Sequence, residues 1–153
     1  MSHLPYEGAA NGERAIAEIE RLLARFREVQ SFGTARDYER GLVIVQFRHR
    51  GRQVCIEAST HGYAAAWLRA HPYTYRQRCA KHEHERKAAQ VAQHAVCSIL
   101  RDWIKGLVTA IETGVFSFEG AFLGQLVLPS GVTVLQHLDT QLKLTEGVAH
   151  GNG

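Results

Sequence analysis

The alternation of apolar and polar positions divides the chain into segments of different period. From Gly12 to about Gln30, Ile16, Ile19, Leu23 and Phe26 recur at spacings of three and four, while Glu18, Arg21, Arg25 and Glu28 fall on the other side. This predicts an amphipathic helix with one buried stripe. Glu13, Glu18 and Glu20 crowd its start and Arg25 and Arg27 its end, which suits the helix dipole. The period then changes. Gly41 to Phe47 is a β-branched run ending on an aromatic, and Val54-Cys55-Ile56 is a second run beyond Arg50-Gly51, where glycine can take the positive φ of a tight hairpin turn. A further strand from Ser31 to Arg36, joined across the polar turn Asp37 to Arg40, extends this hairpin into a three-stranded meander. Alternation puts Cys55 on the opposite face from Val54 and Ile56, which makes it the more exposed thiol if those two face the core.

From Ser59 to Pro72 the pattern is weak, with Gly62 and Pro72 as breakers and Trp67 and Leu68 as anchors onto the core. It reads as a connector with at most one short helical turn. Tyr73 to Thr113 contains no proline, and Ala88, Ala92, Val96, Ile99, Trp103, Leu107 and Ile111 fit one helix face. Unbroken, this helix would span roughly 60 Å, so its start should project or bend. Gly114 is placed to cap its C-terminus. Ser117 can then cap a short helix with Phe118, Phe122 and Leu123, and Thr133 one with Leu135, Leu138 and Leu142; Leu126 to Gly131 between them is an extended run into a turn. The expected fold is α+β: a small antiparallel meander or hairpin packed against a long central helix, with an N-terminal amphipathic helix and short C-terminal helices. Residues 13–144 form its single domain, between a flexible N-terminus at 1–12 and a flexible tail at 145–153.

Composition narrows the class. A chain of 153 residues can bury roughly 70% of its unfolded surface, enough for one core. With 45% hydrophobic and 22% charged residues it is globular in type, and its net charge of +3 permits an acidic partner without demanding one. Cys55, Cys79 and Cys97 are odd in number and widely spaced, which points to a reducing compartment rather than a disulfide framework. The polar start, Met1 to Gly12, has no apolar h-region, and the longest apolar stretches are broken by Arg101, Asp102 and Lys105. A cytoplasmic protein with no membrane contact is expected.

Three groups of residues carry candidate chemistry. Cys79, His82, His94 and Cys97 spell a zinc-like string. On one helix, however, Cys79 and Cys97 would stand roughly 27 Å apart, so neither a metal nor a disulfide is expected, and His82 and His84 read as surface positions. His82, Glu83, His84 and Glu85 point in different directions on a helix, and no nucleophile, phosphate-loop or dinucleotide motif is present, so neither an enzyme nor a cofactor is expected. Basic residues remain. Arg48, His49, Arg50 and Arg52 decorate the hairpin tip, while Arg76, Arg78, Lys81, Arg86 and Lys87 line the start of the long helix beside Tyr73 and Tyr75. Such groups can hold phosphates and stack bases, or meet an acidic protein surface. Equally, hairpin tips and helix starts are commonly charged merely to stay solvated, and Glu83 and Glu85 dilute the second group.

The long helix ending in Leu107-Val-Thr-Ala-Ile-Glu-Thr-Gly-Val115, followed by Phe116-Ser-Phe-Glu-Gly-Ala-Phe-Leu123 and Leu126-Val-Leu-Pro-Ser-Gly-Val-Thr-Val134, resembles a group of small uncharacterised proteins encoded by phages and other mobile elements of proteobacteria. The order of an N-terminal helix of the Ala17-Glu-Ile-Glu-Arg-Leu-Leu23 type and a hairpin like Val45 to Ile56 is similar too. The chain departs from that group at His49-Arg50-Gly51, where Asn-Gly is more usual, and in the His/Cys-rich segment from 79 to 97. The resemblance implies a genetic context and brings no catalytic residues with it. A non-catalytic binding protein is the leading expectation, an inhibitor of a host defence complex of the anti-CRISPR kind, acting in the bacterial cytoplasm by protein–protein contact. The alternative is a nucleic-acid-binding accessory of element replication or recombination. Because Ala95, Leu100, Ile104 and Val108 widen the apolar stripe of the long helix, and Gly106 would admit a second backbone, a homodimer is also expected.

Overall fold

The computed structural model describes residues 3–149, with side chains as far as residue 143. Its first helix, α1, spans Gly12–Arg25, with Asn11 accepting a hydrogen bond from the Arg14 amide as N-cap. The expected helix ran to Gln30 and the observed one stops earlier. Phe26 leaves helical geometry and Glu28 takes a φ of 66°, which swings Val29 into the sheet. Phe26 is nevertheless buried, as the helical period required. Periodicity marks a buried side and is blind to where the backbone changes state.

Strands β1 (Val29–Asp37), β2 (Leu42–His49) and β3 (Arg52–Ser59) form an antiparallel meander in the order β1-β2-β3, as the alternation predicts. Val43, Val45, Phe47 and His49 point to one side of β2, where Val54 and Ile56 of β3 join them; Gln46 and Cys55 face away, and Cys55 is half-buried. The β2–β3 turn has positive φ at both Arg50 (50°) and Gly51 (79°), the geometry that continues the right-handed twist of the strands.

The segment expected to be a connector with one helical turn is a ten-residue helix, α2 (His61–Ala70), with Trp67 buried and Leu68 half-buried. Its hydrophobic period is weak because Trp67 alone of its residues is buried, against the rings of His71 and His84. The long helix α3 spans Lys81–Glu112, about 48 Å. It does not begin at Tyr73. The chain from 71 to 80 folds back instead, held by hydrogen bonds between His84 Nε2 and the His71 carbonyl (2.6 Å) and from the Tyr73 hydroxyl to the Cys79 carbonyl (3.0 Å).

Helices α1 and α3 run in the same direction across the inner face of the sheet. The Gly12 amide donates to His94 Nδ1 at the start of the pair, and Glu18 meets Arg101 further along. Small residues on α3 (Ala88, Ala92, Ala95) are buried in its first half, and larger ones (Leu100, Ile104, Val108) in the half over the sheet. Much of the apolar arc of α3 is thus covered by the chain's own α1, α2 and sheet, although Trp103, expected on the buried row, is 38% exposed. Residues 3–12, expected to be flexible, are tied to the body: Tyr6 donates to Asp102 (2.7 Å), Tyr63 donates to the Pro5 carbonyl (2.6 Å), and Glu7 pairs with His71.

Gly114, with φ of 75°, ends α3 as expected; the Val115 amide donates to the Ala110 carbonyl and the Gly114 amide to that of Ile111, the paired bonds of a Schellman stop. Ser117 caps α4 (Phe118–Phe122), which passes into a 3-10 turn at Leu123–Gln125. Leu126 bridges to Val54, and Thr133 and Gln136 exchange hydrogen bonds as a capping box for α5 (Val134–Ala149). α5 continues past residue 144, where the domain was expected to end, and 150–153 lie outside the described residues. Among the described residues no helix is long and apolar enough to cross a membrane.

Gly41 and Gly51 both hold positive φ, yet only at Gly41 would an added Cβ meet other atoms, the His61 ring at 2.8 Å and Thr60 Oγ1 at 2.9 Å. Gly51→Ala is expected to cost about 1 kcal/mol for the left-handed backbone alone. Gly41→Ala carries the same cost and also disturbs the Thr60 and His61 bonds to the 40–41 carbonyls, so it should lose at least ~1 kcal/mol more. Urea denaturation of the two variants checks this; equal losses would contradict the packing at Gly41.

Candidate functional site

The basic residues singled out in the sequence fall into two groups at opposite ends of α3. The hairpin tip lies beside Ile111 and Glu112, and the other group surrounds Lys81, thirty residues and about 45 Å away along the helix. They do not form one surface.

At the hairpin end, strand alternation carries His49 inward with Phe47. Its side is 6% exposed, and its ring is stacked between Phe26 (5.0 Å between centroids) and Phe118 (4.2 Å). His49 is therefore a core histidine, not the surface contact expected of it. Burial lowers its pKa below the ordinary imidazole value, opposed in part by the Arg27 backbone and by Glu119. Arg50 pairs with Glu28, and Arg52 with Glu119 at 2.8 Å. Glu119's carboxyl is held below its usual value by its own backbone amide and by Arg52. A cleft of about 570 Å³ opens here, with Phe26, Phe116 and Phe118 among its walls and these ion pairs at its rim. Ser117, also in its wall, uses its oxygen to accept from the Gly120 amide as the α4 cap. Of this group only Arg48 is exposed and carries no ion pair among the described residues.

The group at the start of α3 is different in kind. Arg76, Arg78, Lys81, Arg86 and Lys87 are all exposed, and none forms an ion pair among the described residues. Tyr75 is 98% exposed, with its ring edge-on to Tyr73 at 6.0 Å. Tyr73 in turn lies against His84, and Lys87 sits 6.0 Å over the Trp67 ring. The 71–80 loop is thereby a supported platform, with cations and one free aromatic ring directed outward.

The residues of the zinc-like string do not converge. Cys79 precedes α3 and lies near Gln77; His82 is exposed; His94 receives the Gly12 amide; Cys97 is buried in the core, where burial pushes its thiol pKa up. Among the described residues no group of three His, Cys, Asp or Glu side chains is placed to hold a metal ion. His84, expected at the surface, is 6% exposed and clamps the loop through Trp67, Tyr73 and the His71 carbonyl. The signal for it was present in the sequence, since His84, Ala88 and Ala92 continue the buried row at a spacing of four. For His49 the signal was its step of two from Phe47. Compared with protein-family models, curated proteins and solved structures, the chain matches none.

Two outcomes follow. His84→Ala is expected to destabilise the fold by about 2 kcal/mol, through lost ring packing and an unpaired His71 carbonyl, while His82→Ala stays within about 0.5 kcal/mol; thermal or urea melts of the two single variants separate them. Because the folded pKa of His49 lies below its unfolded value of 6.5, its contribution is present above that pH and is lost as pH falls below it. His49→Phe, which keeps the ring stack and removes the titration, should flatten the decline of stability between about pH 7 and 5. An unchanged slope in that variant would remove His49 as the cause.

Proposed function

We propose that the protein is a non-catalytic binding protein that acts by protein–protein contact, with the platform of residues 71–87 as its recognition face. The observation that supports this reading is that Arg76, Arg78, Lys81, Arg86 and Lys87 are all exposed without an ion pair among the described residues, in the same short segment as Tyr75, which is almost wholly exposed. Arginine and tyrosine are the side chains that most often dominate binding energy at interfaces. A loop already fixed by Tyr73 and His84 loses little further freedom on binding. The complementary surface is acidic and offers a pocket for Tyr75. Glu83 and Glu85 lie between the cations, a mixed pattern that suits paired charges on a protein better than a continuous phosphate chain. Taken with the mobile-element resemblance, the partner is a host complex in the bacterial cytoplasm, a defence complex of the anti-CRISPR-target kind, whose surface the protein occupies.

Tyr75 also favours a second reading, in which a single-stranded nucleic acid stacks a base on its ring. Both are tested by one set of reagents. Immobilised full-length protein and a Tyr75→Ala, Arg76→Glu, Arg78→Glu variant are exposed to bacterial lysate at about 0.15 M salt, and both are titrated with labelled oligothymidylate. A protein retained by the parent and lost by the variant is the expected result. Equal retention by both, or no retention, overturns the proposal; oligonucleotide binding that falls steeply with salt and disappears in the variant selects the second reading instead.

A further inference from the structure

The C-terminal helix carries an apolar face that is left exposed among the described residues. Leu135, Leu138 and Leu142, expected to anchor a core helix, are 51–63% exposed, with Leu123 of the preceding turn at 55% and Val132 at 39%. α5 packs chiefly on the Leu123–Gln125 turn, where Leu135 stands directly against Gly124. Among the described residues, no other element meets this sixteen-residue helix as extensively. An apolar surface of this extent on a small protein marks an interaction site.

We infer that this face is closed by the same face of a second copy of the chain, α5 against α5 about a two-fold axis, independently of what the 71–87 platform binds. Three properties favour this occupant. Leu135, Leu138 and Leu142 follow the three-and-four spacing of a coiled-coil seam, whose natural complement is a helix with the same spacing. A two-fold contact sets like residues near like, so a charged face would repel itself. Between Val134 and Lys143 the charged residues are Asp139 and Lys143, which neutralise each other within one helix at 2.9 Å. The area also suffices. The five apolar side chains expose roughly 500 Å², which is what a standard interface of about 800 Å² per partner contains when somewhat over half of it is apolar. This places the dimer on α5, not on the Ala95, Leu100, Ile104 and Val108 row of α3, which is buried within the chain.

Light scattering and sedimentation equilibrium on the full chain are expected to give a dimer, twice the 17.1 kDa of the single chain, dissociating on dilution. Leu138→Glu with Leu142→Glu should weaken association at least ~100-fold while the circular dichroism loses at most the helical signal of α5, since neither side chain is buried. Amide exchange on the unaltered protein gives a reading that does not depend on any variant folding: protection that rises with concentration should be confined to the C-terminal helix and the turn before it. A single-chain mass at about 1 mM, a dimer that survives both glutamates, or concentration-dependent protection elsewhere would each overturn the inference. A single-chain mass at that concentration would leave the face to a different protein. Because the platform is untouched, capture of a partner by residues 71–87 succeeds or fails separately.

Discussion

The structure depends on burying one face of β2. Val43, Val45, Phe47 and His49 project from the central strand of a three-stranded sheet into the space beneath α1 and α3, and four of the largest fully buried side chains, Phe47, Ile19, Leu23 and Ile104, belong to that core. A sheet of three strands has little area to offer, so the helices must cover it closely. Two long helices running in parallel do so, and their register is set at one end by Gly12 against His94 and Cys97. A side chain at residue 12 would meet the His94 ring at 3.1 Å.

The length of α3 has a different consequence. Its second half lies over the sheet, while its first half extends beyond it and needs another cover. α2 and the 71–80 loop provide that, through a cluster of Trp67, His71, Tyr73 and His84 rings in place of an aliphatic core. Such rings bury apolar area and satisfy backbone carbonyls at once, as His84 does for His71 and Tyr73 for Cys79. The same support holds Tyr75 and its neighbouring cations outward. At the far end Arg50 and Arg52 are matched by Glu28 and Glu119, so the two basic groups that look alike in sequence differ in how many of their cations pair among the described residues.

The C-terminal third is built from local signals. A Schellman stop at Gly114, a serine cap at Ser117 and a capping box between Thr133 and Gln136 each satisfy their own backbone groups. These caps need no partner from the core, although the α4 that Ser117 caps sends Phe118 and Phe122 into it. The helix that follows, α5, exposes Leu135, Leu138 and Leu142, so the core contributes little through them to its stability.

Elements whose signal is local could be read along the chain. The three-stranded meander, the Arg50-Gly51 turn, the caps at Gly114, Ser117 and Thr133 and the α+β class were legible because strand alternation, positive φ and capping hydrogen bonds act within a few residues. Tertiary structure decided the rest. α1 ends at Arg25 because Val29 is claimed by pairing with β2, and α3 begins at Lys81 because His84 and Tyr73 fold the preceding loop back onto α2. Neither competitor is visible in a window of helical period. Burial of His49 and His84 was written in their spacing from Phe47 and Ala88, but a polar residue type outweighs spacing until the rings that enclose it are known. Which basic residues are free was settled by Glu28 and Glu119, 22 and 67 residues from the arginines they neutralise. A charge in sequence has no partner; only the fold supplies one.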